Sequence, residues 1–107
     1  MFTTIRMYKV LDRKVMDEAI RAVQNEFLPT VSALPGFLEY ELIDAGDRLA
    51  SISTFESRES AEESSRRSAQ FLKEHPKLAA AITDRQITEG ETKVHKAVER
   101  LVGAYER

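Results

Sequence analysis

The stretch from Pro35 to Ser57, PGFLEYELIDAGDRLASISTFES, constrains the fold more than any other part of the chain. Apolar and aromatic residues recur at every second position on both sides of the segment Asp44 to Asp47, and this alternation is typical of half-buried strands. Gly46 can adopt the positive φ that a type I turn with a following bulge requires. The sequence therefore predicts two antiparallel strands joined by a tight turn.

The length and composition favour one globular domain that spans residues 1–107. A chain of this size can build one hydrophobic core, and a partner subunit would add usefully to the buried area. Hydrophobic residues make up 42% of the chain and charged residues 32%, which is typical of soluble proteins. No apolar run approaches the roughly 20 residues that span a bilayer, so no membrane partner is expected.

Charge and cysteine content exclude several function classes. The net charge is -2 with the signs interspersed, so no basic face is available to neutralise phosphates and nucleic acid is not an expected partner. The absence of cysteine excludes disulfides, thiolate metal sites and cysteine nucleophiles. His95 has no neighbouring acid or histidine cluster, so no metal site is predicted. The first ten residues lack a secretory signal pattern, which favours a cytoplasmic protein.

Helical periodicity appears on both sides of the predicted hairpin. The first strand, Phe2 to Leu11, has apolar residues on both faces and should be covered on both. Asp12 can cap a helix whose apolar residues recur at helical spacing, namely Met16, Ala19, Ile20, Val23, Phe27 and Val31. Pro29 lies inside this helix and predicts a kink near residues 25–28.

A second helix is predicted to begin after Ser57 and to end before Pro76. Its inner face carries small residues, which permit either close packing against the sheet or an open ligand pocket: Ala61, Ser64, Ser65, Ser68 and Ala69. A last strand is predicted from Ile87 to His95, with a bulge at Gly90. A C-terminal amphipathic helix is predicted from the spacing of Val94, Ala97, Val98, Leu101, Val102 and Tyr105.

The predicted order of strand, helix, two strands, helix and strand is that of an α+β, ferredoxin-like βαββαβ fold. Its antiparallel sheet has helices on one face only. Apolar residues on the other face, including Leu38, Tyr40, Leu42, Ala50 and Ile52, would then need cover from a second copy of the sheet.

Four segments resemble a known family over residues 2–97. TIRMYKV, FLPTVSALPGF, YELIDAGDRLASISTFESRESAEES and TEGETKVHKA are similar to the antibiotic biosynthesis monooxygenase-like group of dimeric α/β barrels. The resemblance implies a homodimer with facing sheets and a pocket between helices and sheet in each subunit. It also implies oxygenation of aromatic polyketide or quinol-like substrates without metal or flavin, or haem degradation as in other members.

Two residues are candidates for catalysis under this resemblance. Oxygenases of the group are associated with asparagine, tryptophan and histidine near the substrate, and Asn25 is the sole asparagine of a chain that has no tryptophan. Its amide could face a pocket or simply the surface. Phe71 and His75 have the spacing of the haem-binding motif, but the tryptophan position holds Ser65 and the first strand has no asparagine. His75 is therefore a candidate haem ligand, a candidate acid or base, or a helix-end cap.

The candidate ligand-binding residues are those on one face of the first strand, in the hairpin and on the inner face of the second helix: Arg6, Tyr8, Tyr40, Ser64, Ser65, Ser68 and Phe71. Arg6 and Tyr8 could instead line a dimer interface. We expect a monooxygenase-like protein that oxygenates a small, flat, aromatic or quinol-like ligand without a cofactor. The alternative is a noncatalytic ligand-binding or structural dimer, and haem binding is a weaker alternative.

Overall fold

An antiparallel sheet with strand order β2-β3-β1-β4 organises the protein. The computed structural model describes residues 1–98. The strands are β1 (Phe2–Val10), β2 (Phe37–Asp44), β3 (Arg48–Phe55) and β4 (Ile82–Glu91). All neighbouring strands are antiparallel. The predicted α+β, ferredoxin-like arrangement is thereby confirmed.

The first helical region is built from four consecutive segments. They are a 3₁₀ turn (Arg13–Val15), α1 (Met16–Ala22), a π-helical segment (Val23–Phe27) and α2 (Leu28–Ser32). Pro29 has no N–H to donate, and just before it the Leu28 N–H donates to the Val23 carbonyl five residues earlier. The irregularity predicted near residues 25–28 is therefore the π-helical segment.

The second helical region consists of α3 (Arg58–Glu74) and α4 (Pro76–Ala81). As predicted, the Ser57 hydroxyl caps α3, accepting a 3.3 Å hydrogen bond from the Ser60 N–H. The buried positions Ala61 and Ser64 lie in its first half. Small residues there allow α3 to lie close against the sheet.

The two faces of the sheet differ in cover. The inner face packs against the helices and contributes Phe2, Leu49 and Phe55 to the core. The outer face, which no helix within residues 1–98 covers, carries half-buried or exposed apolar side chains: Ile5, Met7, Ile43, Ala50 and Ile52. Tyr40 and Leu42 pack against the core instead, so the prediction that they need cover from a second sheet was wrong. Both belong to the inner-facing set of β2.

The last strand begins five residues earlier than predicted. β4 spans Ile82–Glu91. The prediction of a bulge at Gly90 was wrong, because Gly90 pairs regularly with Thr3 and the register shifts between Met7 and Lys9 of β1 instead. Most β4 residues are exposed, so this edge strand has no apolar alternation from which its register could be predicted.

The C-terminal prediction is tested only in part. Residues 92–98 have no regular secondary structure, so Val94, Ala97 and Val98 do not lie in a helix as predicted. Leu101, Val102 and Tyr105 lie outside the described residues.

Two glycines with positive φ allow a matched stability test of the hairpin. Gly36 has φ 73° and a Cβ added to it would lie 3.2 Å from Glu56 Cβ. Gly46 has φ 89°, and no atom of residues 1–98 lies within 4 Å of the corresponding Cβ position. We expect Gly36→Ala to lower the free energy of unfolding by about 2 kcal/mol and Gly46→Ala by about 1 kcal/mol, because only the first adds crowding to backbone strain. Urea denaturation measures both, and equal losses would contradict the crowding argument.

Candidate functional site

A small inner cavity lies between the helices and the sheet. Its volume is about 40 Å³, and it is lined by Tyr8, Val23, Phe27, Tyr40, Leu42, Leu49, Ser51, Ser68, Phe71, Leu72, Leu78 and Ile82. Four of the seven predicted ligand-binding residues are therefore brought together here, namely Tyr8, Tyr40, Ser68 and Phe71. A water molecule occupies roughly 30 Å³ in the liquid. The inner cavity accordingly has room for about one water and none for an aromatic ring.

The other three predicted ligand-binding residues form a buried hydrogen-bonded cluster with Ser53. We call Arg6, Ser53, Ser64 and Ser65 the Arg6 cluster. Arg6 is 2% exposed and donates to the hydroxyls of Ser53 and Ser64, both at 3.3 Å, and of Ser65 at 2.8 Å. Among residues 1–98, no carboxylate lies within ion-pair distance of this guanidinium. Three serine hydroxyls thus solvate a buried positive charge.

Glu89 connects the Arg6 cluster to the edge strand, and it was not predicted from the sequence. Its Oε2 accepts hydrogen bonds from Thr4 Oγ1 at 3.1 Å and from Ser65 Oγ at 3.3 Å. Ser65 therefore accepts from Arg6 and donates to Glu89. The predicted β4 did include Glu89, but only the observed register indicates that its side chain meets α3.

Burial shifts the pKa values of two polar side chains near the inner cavity. Desolvation lowers the pKa of Arg6, although an arginine remains protonated in proteins. Desolvation raises the pKa of Tyr40 to about 12, and this effect outweighs the hydrogen bond with Ser51 and the nearby Arg6 charge. Tyr40 is therefore a neutral phenol near neutral pH rather than a base.

A larger cavity, the helix groove, lies between the first helical region and the junction of α3 with α4. Its volume is about 570 Å³, and it is lined by Val15, Glu18, Ala19, Arg21, Ala22, Asn25, Glu26, Glu74, His75, Pro76, Lys77 and Leu78. Small-molecule sites commonly have volumes of about 300–1,000 Å³. The groove brings together Asn25 and His75, the two candidate catalytic residues, which are 50 positions apart in the sequence.

His75 is held at both ring nitrogens. Nδ1 lies 2.8 Å from the Phe71 carbonyl oxygen, which is the helix-end contact expected of a capping histidine, and Nε2 lies 3.2 Å from Glu26 Oε1. Two contacts raise the pKa of His75 above its ordinary value. The hydrogen bond to the Phe71 carbonyl has the larger effect, and the contact with the Glu26 carboxylate adds to it. Both oxygens are acceptors, so the geometry favours the imidazolium form.

Glu26 was missed because nothing near it in the sequence indicates its partner. It lies in the π-helical segment, one residue after Asn25, and its contact with His75 spans 49 positions. A glutamate in a charged helical stretch is normally interpreted as part of a solvated face. Only the approach of α3 to the first helical region identifies it as a site residue.

The side chains of residues 1–98 do not form a metal site. Within that range, no group of three or more histidine, aspartate or glutamate residues is placed to hold a metal ion. No helix in the same part of the chain is long and apolar enough to cross a bilayer. In this structure His75 Nε2 faces the Glu26 carboxylate rather than an open ligand position, so haem ligation would require Glu26 to move away.

Solved structures share the fold of this chain. A dimeric ferredoxin-like protein from an uncultured marine organism is 9% identical with a TM-score of 0.71, over 92% of each chain. SnoaB, a cofactor-independent oxygenase from Streptomyces nogalater, is 14% identical with a TM-score of 0.65, over 88% of this chain and 94% of SnoaB. An MhuD variant with two manganese protoporphyrin IX groups bound per active site is 16% identical with a TM-score of 0.63, over 92% of this chain and all of MhuD.

These likenesses confirm the predicted resemblance at the level of the fold, which this chain shares with antibiotic biosynthesis monooxygenase-type structures. No protein-family sequence model matches the chain, and no curated protein matches it significantly. Activity must therefore be inferred from the residues that line the helix groove.

Proposed function

We propose that the protein is a monooxygenase-like homodimer that binds a small, flat, partly apolar aromatic or quinol-like molecule in the helix groove. It oxygenates this molecule without metal or flavin. The observation that carries the proposal is the position of Asn25 and His75 on one groove of about 570 Å³, which is large enough for a two- or three-ring ligand.

A quinol can supply the electrons for this reaction. One oxygen atom of O₂ enters the ring and the other leaves as water with the two hydrogens that the substrate loses, so 1,4-dihydroxynaphthalene and O₂ would give 2-hydroxy-1,4-naphthoquinone and water. Neutral His75 can accept the hydroxyl proton at Nε2, and the Asn25 amide can donate a hydrogen bond to the resulting anion. Val15, Ala19, Ala22 and Leu78 give the groove an apolar wall against which a flat ring can pack.

A noncatalytic role is the second candidate. The space beneath α3 is nearly filled, since the inner cavity measures about 40 Å³ and the Arg6 cluster occupies the region beside it. A filled space there favours a protein that binds a ligand in the helix groove without turnover, or a structural dimer. Haem binding is the weaker alternative.

The proposed partner is a second copy of the chain. The outer face of the sheet exposes Met7 and Ile43, at 36% and 43%. Ala50 lies between them on β3, and Ile5 and Ile52 form the adjacent cross-strand pair. A facing sheet would bury this surface, and a dimeric protein of the same fold supports the arrangement. We place the homodimer in the cytoplasm.

Oxygen uptake with 1,4-dihydroxynaphthalene tests the proposed activity. We expect uptake above the rate of autoxidation, no inhibition by EDTA, and one ¹⁸O atom from ¹⁸O₂ in the product. His75→Gln should lower kcat by about 10² to 10⁴-fold if Nε2 is the base, whereas Lys93→Ala, on an exposed position of the C-terminal segment, should leave it unchanged.

The pH profile supplies a second readout of His75. The base form is populated as pH rises through the pKa of His75, which the Phe71 carbonyl and Glu26 raise above its ordinary value of 6.5. We therefore expect kcat/KM, which reports the pKa of the free enzyme, to increase with pH through a midpoint above 6.5 and this step to vanish in His75→Gln. Ligand binding without oxygen uptake would favour the noncatalytic role, and a His75-dependent Soret band with haemin would favour haem binding.

A further inference from the structure

The ring of His75 is fixed, so its Nε2 has a defined position in the helix groove. Nδ1 is tied to the Phe71 carbonyl at 2.8 Å, and the ring lies against the Phe71 ring with centroids 4.1 Å apart. The side chain is only 22% exposed. A ligand that reaches Nε2 therefore meets a preorganised hydrogen-bonding group.

The Glu26 carboxylate that faces Nε2 is held weakly by comparison. Its side chain is 59% exposed and lies 3.2 Å from Nε2, and within residues 1–98 it has no second hydrogen-bond partner. Ion pairs with one exposed partner typically contribute about 0–1 kcal/mol. Rotation of the Glu26 side chain into water therefore costs little free energy, and another acidic oxygen could take the place of its carboxylate on Nε2.

The charges around the groove favour replacement of Glu26 over addition of a second anion. The carboxylates of Glu18, Glu26 and Glu74 face an equal number of cations, which are Arg21, Lys77 and protonated His75. They project from α1, the π-helical segment, α3 and α4. An anion that entered while Glu26 stayed would leave an excess of negative charge, whereas an exchange preserves the balance.

We propose that the Glu26 carboxylate is an intramolecular stand-in for an acidic oxygen of the ligand. In the ligand-bound protein, a phenolate, enolate or carboxylate oxygen takes the place of Glu26 on His75 Nε2, and Glu26 turns to solvent. The helix groove thereby selects flat ligands that carry an anionic oxygen. This inference rests on the proposed ligand site and specifies the chemical class of its ligand.

Binding of 2-naphthoate, with 2-naphthamide as the neutral analogue of the same shape, tests the inference by isothermal titration calorimetry. Glu26→Gln and Glu26→Ala should bind 2-naphthoate about fivefold more tightly than the native protein, because the binding-competent fraction increases when the competitor is removed. Binding of 2-naphthamide should change by less than about twofold. His75→Gln should remove the preference for naphthoate over naphthamide.

Glu18→Gln is the matched control, since it removes one negative charge from the same groove without removing a contact to His75. An increase in naphthoate affinity equal to that of Glu26→Gln would overturn the inference in favour of a general charge effect, as would no increase in either Glu26 variant. The His75 Hε1 resonance gives an independent readout: its pKa should fall in Glu26→Gln, and 2-naphthoate should raise it again. Far-UV circular dichroism confirms that each variant is folded.

The outcome is separable from that of the oxygenase test. Naphthoate binding that depends on Glu26, without quinol oxidation, would retain the ligand class and reject the catalytic role. Quinol oxidation with no effect of Glu26 would retain the activity and reject the stand-in.

Discussion

Ile52→Asp is expected to convert the proposed dimer into a folded monomer. Ile52 lies on the outer face of β3 directly opposite Ile5, and the neighbouring pair Met7 and Ala50 continues the same apolar surface. A stable interface of facing sheets should bury about 2,000 Å² or more in total, with this surface near its centre. An aspartate buried there without a partner costs several kcal/mol, so the dissociation constant should increase by at least about 100-fold.

The charge already present beside Ile52 strengthens this expectation. Glu41 is its cross-strand partner on β2, and partial burial together with the nearby Glu39 raises the pKa of Glu41. An aspartate at position 52 would add a third carboxylate to this pair. Because protonation of Glu41 and of the introduced aspartate removes this repulsion, the variant should regain dimer at low pH.

Light scattering coupled to size-exclusion chromatography at micromolar concentration measures the effect. Ile87→Asp is the matched control, because Ile87 is 45% exposed but pairs with inward-facing Arg6 and so lies on the opposite face of the sheet. It should leave the dimer intact. A monomeric native protein, or a dimeric Ile52→Asp variant, would contradict the proposed interface.

The fold could be predicted where local chemistry and burial agree. The hairpin has an alternating pattern on strands with one covered face, a glycine at the positive-φ turn position and the Ser57 cap directly after it. β4 lacked such agreement, because an edge strand with most residues exposed gives no periodic signal for its start or register. The π-helical segment could not be predicted either, because Pro29 indicates that the helix is irregular but not which form the irregularity takes.

The strand pattern predicted which face of the sheet some candidate residues occupy, but not how the candidates lie relative to one another. Tyr8 and Arg6 alternate onto the inner face as the strand pattern requires, yet one lines the inner cavity while the other donates to serines of α3. Glu26 and Glu89 depend on contacts across 49 and 24 positions, which follow from helix packing and strand register. No local pattern in the sequence specifies such contacts.

Arg6→Ala should produce the largest loss of stability among the single substitutions proposed for this protein. Arg6 is among the largest fully buried side chains, and its removal both opens a cavity and leaves the buried Ser53 hydroxyl without its donor. Together these effects should lower the free energy of unfolding by about 3–5 kcal/mol. Urea denaturation at fixed protein concentration measures the loss, since dimerisation makes the value concentration-dependent.

Arg6→Met separates the volume of the side chain from its charge. Methionine fills most of the space and removes the buried charge, so the remaining loss, about 1–2 kcal/mol, reflects the unpaired Ser53 hydroxyl. Arg58→Ala is the surface control: its guanidinium lies over the Phe2 ring at 5.1 Å, and the substitution should cost less than about 1 kcal/mol. If Arg6→Met were instead more stable than the native protein, the Arg6 cluster would not stabilise the fold.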